Sequence, residues 1–199
     1  MKKYLELRFI YAYPLDVEMR EQYEQRGLEY PSIEVVKETV VQWRQLWQEV
    51  EREHSMLSLL SELTKRTPTR ALECFVFGAG LRAKSTPLML PIMNRNGEYV
   101  SNQRFVEVII HELLHIYLTT DNKSYWEYAA KKYANEAPVT RNHILLYAFL
   151  YKIYQDTWQK EPLDFERDNL SVGYARAIQI VREESYEHIL SEYGQVNNC

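Results

Sequence analysis

The sequence predicts an α+β domain: a small mixed sheet with an edge strand, packed on a mostly helical body. Three observations carry that prediction. Segments that alternate apolar and polar residues are confined to the first half of the chain. One long apolar seam at spacings of three and four runs between the first two of them. From about Asn102 onward every apolar pattern has helical spacing. The 199 residues are enough for one substantial core, and no repeat or low-complexity linker divides them, so one domain over residues 1–199 is expected.

Taken in order, "YLELRFIYAY" at 4–13 alternates as a half-buried strand and stops at Pro14. Ser32 is placed to cap a long helix with Glu34 in its first turn. Along it Val36, Val40, Trp43, Trp47, Val50, His54 and Leu57 form the seam of a helix packed along its length. "ALECFVF" at 71–77 is a second strand, ending in Gly78-Ala79-Gly80. No Lys-Ser/Thr follows in register, so these glycines read as a turn where backbone passes close to a neighbour, not as a phosphate loop. Leu88 to Met93 is extended, Asn96-Gly97 signals a turn, and Glu98 to Val100 returns, which predicts a hairpin. Pro87 and Pro91 lack an N–H and mark that strand as the sheet's edge. Helices are expected over about Asn102–Thr119, Ser124–Asn135, Thr140–Trp158 and Ser171–Tyr193, with "QKEPLDFERDN" at 159–169 as a surface loop.

Composition narrows the function classes. The apolar fraction of 46% and charged fraction of 26% are those of an ordinary globular protein. A net charge of −4, with no dense Lys/Arg stripe, disfavours nucleic acid and anionic membrane surfaces as partners. No run approaches the roughly 18 to 20 apolar residues of a membrane span, and the N-terminus lacks a signal-peptide core. Cys74 and Cys199, far apart in sequence, give neither a disulfide framework nor a metal-thiolate pattern. A soluble, cytoplasmic protein is expected.

Chemistry shows first in "VEVIIHELLHIYLTTDN", residues 106–122. His111, Glu112 and His115 spell H-E-x-x-H. Histidines at i and i+4 project from one side of a helix and can reach one tetrahedral zinc ion. Glu112, about 100° round the helix from His111, falls beside such an ion, placed to take a proton from the attacking water. Phe105, Val106, Ile109, Ile110, Leu113, Leu114, Ile116 and Tyr117 cover most of the remaining circumference, so the helix should be buried. Two histidines and a glutamate are expensive to desolvate there unless paired or coordinated. The plainer alternative is a pair of hydrogen-bonded core histidines beside an exposed glutamate.

With this motif the chain resembles the zincin metallopeptidases, over roughly Ala71 to Tyr154. Their shared unit is a small sheet with an edge strand, an active-site helix carrying H-E-x-x-H, and a further helix with the third ligand. The resemblance implies His111 and His115 as zinc ligands and Glu112 as general base.

Four residues compete as third ligand. Asp121 stands where the metzincin pattern H-E-x-x-H-x-x-G-x-x-H/D would put it, but Leu118 replaces the glycine. Glu127 and Glu136 lie downstream as the gluzincin ligand does. Glu136 sits in an Asn-Glu-Ala triplet similar to the thermolysin-like motif, with Pro138 soon after it. His143 follows Thr140, a candidate cap, so it would occupy the first turn of a buried helix; as a neutral nitrogen donor it suits zinc and is the preferred choice. Glu136 can alternatively orient a ligand histidine. Tyr174 in "SVGYARA" is the candidate oxyanion donor, with Arg176 behind it. His54 and His188 read as structural.

The expected function is zinc-dependent endopeptidase chemistry on a peptide or protein substrate, which would lie along the edge strand Pro87–Met93. The rivals are a zincin-fold regulatory or binding protein without turnover, and a helical structural protein with a chance motif.

Overall fold

The computed structural model describes residues 6–69, 71–94, 96–119, 122–168 and 170–197. Strand β1 (Leu7–Tyr11) leads into helix α1 (Tyr13–Gln25), then α2 (Ile33–His54), α3 (Met56–Thr64) and β2 (Leu72–Phe77). Two short strands follow, β3 (Lys84–Ser85) and β4 (Leu88–Pro91). The rest is helical: α4 (Asn102–Thr119), α5 (Lys123–Lys132), α6 (Pro138–Trp158), a 3-10 turn at Leu163–Glu166, α7 (Val172–Glu184) and α8 (Tyr186–Asn197). The class is α+β, and the four-stranded sheet is mixed, in the order β1-β2-β4-β3.

β1 runs parallel to β2 and β2 parallel to β4, with Phe9 opposite Cys74 and Val76 opposite Leu90. Alternation assigns the two faces. Phe9, Cys74, Val76, Leu88 and Leu90 join the main core with α2 and α4, where Trp43 stacks on Phe105 at 4.5 Å between ring centres. Phe75, Phe77 and Met89 turn to the other side and meet Met19 of α1.

Several boundaries differ from the sequence reading. Pro14 opens α1 instead of merely ending a strand: its fixed φ and missing N–H are tolerated in a helix's first turn. α1 carries Asp16, fully buried, which accepts from Tyr11 Oη (2.8 Å), Tyr30 Oη (2.7 Å) and the amide of Gly78 (2.7 Å). A Cβ at Gly78 would lie 2.4 Å from the Tyr30 ring, so this turn requires glycine. Ser32 caps α2, accepting from the Val35 amide at 3.3 Å, but the helix stops at Ser55 (φ 48) and Leu57 belongs to α3. Likewise Ser185 (φ 65) splits the expected final helix into α7 and α8.

The edge strand is a further correction. β4 lies between β2 and β3, with β3 antiparallel to it (Lys84 opposite Met89, Ser85 opposite Leu88). Pro91 is accommodated because the ladder resumes with Ile92, whose amide donates to Phe77. The outer edge beside β4 is therefore β3. The expected hairpin return reduces to one bridge, Met93 to Tyr99. None of the described helices is long and apolar enough to cross a membrane.

Candidate metal centre

Ser101 opens α4 by accepting from the Arg104 amide at 3.2 Å. Phe105, Ile109, Ile110, Leu113, Leu114 and Tyr117 are fully buried round this helix. Burial of this kind stabilises by about 1.5–3 kcal/mol for each large aliphatic or aromatic side chain, so the helix is held rigidly. Its remaining stripe carries Arg104, Glu107, His111 and His115 at helical spacing, with Glu112 alongside.

α6 brings the third histidine. It begins at Pro138 with Ala137 as N-cap, so Thr140 is inside the helix and His143 stands in its second turn, not its first. One ring nitrogen from each of His111, His115 and His143 lies within 4.8 Å of the others, and the ring centres are 4.9–5.4 Å apart. Burial pushes all three imidazoles toward the neutral form: His111 falls well below its ordinary value, helped by its two neighbours, His115 falls to about 4, and His143 is lowered.

The tautomer of His143 follows from its partner. Nδ1 is 2.7 Å from the carbonyl oxygen of Val139, which can only accept, so Nδ1 carries the hydrogen. Nε2 is then a lone-pair donor, and it is buried without a hydrogen-bond partner. An unpartnered buried nitrogen costs about 1–3 kcal/mol. A cation seated among the three imidazoles would relieve it. Neutral nitrogen donors, converging and desolvated, fit a divalent transition metal.

Glu112 is buried, and burial alone raises its carboxyl to about 7. Tyr174, in the first turn of α7, packs its ring 4.2 Å from that of His143 and 6.1 Å from that of His111. Burial raises its phenol further, with the Glu112 charge adding to the effect, so it is a hydrogen-bond donor at neutral pH. Close helix approach places it there: a Cβ at Gly173 would fall 2.3 Å from Val139 on α6.

The other sequence candidates lie elsewhere. Arg176 is engaged with carboxylates: its Nε and Nη2 donate to Glu136 at 3.0 and 2.8 Å, and a further contact reaches Glu183. Glu136 is thereby engaged away from the histidines; the pair ties the entry of α6 to α7. Glu127 is exposed on α5 beside Lys123. Asp121 and Cys199 lie outside the described residues, and Cys74 is a buried free thiol. His54 packs edge-on against Trp158. His188 shares a surface cluster with Glu184 and Glu192, but the Lys132 ammonium already bridges those two carboxylates.

Sequence reasoning missed the polar layer beneath the histidines. Arg104 donates at 2.7 Å to both Glu107 and Asp164, Glu107 accepts from the amides of Leu163 and Asp164, and Tyr147 Oη donates to Asp164 at 3.0 Å. The Tyr147 ring lies 5.7 Å from that of His111. Glu107, on the same stripe as the motif and fully buried, was the available signal.

No family model matches the chain, and comparison with curated proteins and with solved structures found no match.

Proposed function

We propose that this chain is a zinc-dependent peptidase whose metal is held by His111, His115 and His143. The observation that carries the reading is the convergence of three neutral imidazoles, one with a buried unpartnered Nε2, beside the buried carboxylate of Glu112. Three histidines leave a fourth tetrahedral position open, the arrangement of catalytic rather than structural zinc sites. Zinc bound there supplies a Lewis acid and lowers the pKa of the attacking water.

The protein's own groups do the remaining work. Glu112 takes the water's proton and returns it to the departing amine, and a cation held by the three histidines would favour its ionised, proton-accepting form. The Tyr174 hydroxyl donates to the oxygen that gains charge as the carbonyl becomes tetrahedral. The outer side of β3, a strand that packs against α4, offers main-chain groups to an extended substrate. The layer from Arg104 to Tyr147 keeps α4 and α6 in register beneath the ligands.

Metal analysis of protein purified without chelator, together with a peptide-library cleavage screen, tests this. Stoichiometric zinc is expected in the wild type and is lost in His111→Ala. Glu112→Gln should keep zinc and fold but lose about two to three powers of ten in hydrolysis. Full turnover by that variant would remove Glu112 from the mechanism. Zinc bound without cleavage of any peptide would favour a regulatory metal-binding protein.

A further inference from the structure

Resting on the peptidase reading above, we infer that the site selects peptides carrying a carboxylate close to the scissile bond, and that Arg82 is the group that binds it. The segment joining β2 to β3 places this residue. After β2 the chain turns at Gly80 (φ 107), a backbone conformation that favours glycine, and returns as β3, which packs against α4, the helix of His111 and His115. From Arg82 to Ser85 exposure alternates. Arg82 and Lys84 are exposed, Ala83 and Ser85 are half-buried, and Ala83 packs on the main core. The two cations therefore share the outward side of an anchored ribbon.

Arg82 is uncommitted within the fold. Neither its guanidinium nor the Lys84 ammonium has a hydrogen-bond or ion-pair partner among the described residues, whereas Arg104, Arg176 and Arg182 each engage a carboxylate. Between Glu73 and Glu98 the sequence holds no acidic residue, so the ribbon brings no counter-charge of its own. Arg82 also reaches the chemistry of the site. Burial raises the Tyr174 phenol and the Glu112 charge raises it further, but the Arg82 guanidinium draws it back down, so this cation stands within electrostatic reach of the ring that packs on His143. Asp164 also acts on that phenol, yet Arg104 already holds its carboxylate. Tyr174 Oη has no hydrogen-bond partner among the described residues, so a carbonyl oxygen that meets it lies in the field of Arg82. A planar guanidinium can hold a carboxylate through two parallel N–H···O bonds, and it repels a lysine or arginine at the same place.

Fluorescence anisotropy on Glu112→Gln, with zinc supplied in the buffer, measures binding without interference from turnover. The probes are peptide pools bearing a neutral dye at the N-terminus, identical except for glutamate, glutamine or lysine at the central positions, each made with a free and an amidated C-terminus. Carboxylate-bearing pools should bind at least about ten-fold tighter than the amidated glutamine pool, the scale of a hydrogen bond between charged groups. A preference that follows the side chain identifies an acidic residue as the source, and one that follows the free terminus identifies the chain end. Adding Arg82→Glu should abolish the preference and turn it toward lysine, while Arg82→Lys should keep part of it. Zinc content should be unchanged in both, which separates recognition from damage to the metal centre. Equal affinity across the pools, binding of none, or a carboxylate preference that survives Arg82→Glu would overturn the assignment. Cleavage by the wild type is scored separately, so selection of the anion can stand where hydrolysis fails.

Discussion

Removing His143 should uncouple the protein's stability from zinc. In the metal-free protein, His143→Ala deletes one hydrogen bond, from Nδ1 to the Val139 carbonyl, a net loss of about 1 kcal/mol. The same substitution removes a buried, unpartnered Nε2, whose presence costs about 1–3 kcal/mol. Lost ring packing opposes that relief, so the metal-free stabilities of variant and wild type should agree within about 1 kcal/mol. With zinc the two should part. At free zinc about 1,000 times the wild-type Kd, binding adds RT ln(1 + [L]/Kd), about 4.1 kcal/mol. If the missing ligand weakens binding about 1,000-fold, the gain shrinks to RT ln 2, about 0.4 kcal/mol. Glu136→Ala, a change outside the ligand set, should weaken zinc by no more than about 10- to 100-fold and keep a gain of about 1.4–2.7 kcal/mol. Urea unfolding in chelator and in a zinc buffer measures all three. Retention of the full gain by His143→Ala, or its loss in Glu136→Ala alone, would refute the ligand assignment.

The acid dependence of the metal-free protein separates Glu112 from the histidines. Glu112, raised from 4.5 to about 7, contributes stability present below about 4.5 and lost as pH rises through 7. His115, lowered from 6.5 to about 4, contributes stability present above 6.5 and lost as pH falls through 4. The slopes oppose, so Glu112→Gln should make the decline in stability between pH 7 and 4.5 steeper by about 3 kcal/mol in total; parallel urea-derived profiles in chelator would contradict this. Tyr174→Phe should retain zinc and lower kcat by about 10²- to 10³-fold with little change in KM, and a variant with normal kcat would remove the phenol from the oxyanion role. Asp16→Asn faces its amide toward donors from Tyr11, Tyr30 and Gly78 and should cost about 3 kcal/mol or more in urea unfolding; a loss under about 1 kcal/mol would show that the hub is dispensable.

What was legible in the sequence follows from the range of the interactions involved. α2 and α4 were readable because their apolar seams repeat over five or more turns and Ser32 announces one start, signals that are local to the chain. His111 and His115 needed only helical spacing. The preference for His143 rested on donor chemistry and on a buried helix behind it, although its cap was misplaced by three residues because Pro138 starts a helix as readily as it ends one. β3 was invisible: two residues, Lys84 and Ser85, become a strand only because β4 pairs with them. The breaks at Ser55 and Ser185 were equally hidden, since positive φ at serine has no local signature and arises from how the flanking helices pack. Asp164, Glu107 and Tyr147 meet across 17 to 57 positions of sequence, a separation that periodicity does not bridge.

Glu107 has one more consequence. Its carboxylate holds the amides of Leu163 and Asp164 from a position one helical turn before His111. Those two amides can exchange their hydrogens with solvent only when the 159–168 segment lifts off α4. Their deuterium uptake is therefore a clock for opening of the helix that carries the motif, readable at a peptide distant in sequence from the histidines and free of any ligand residue.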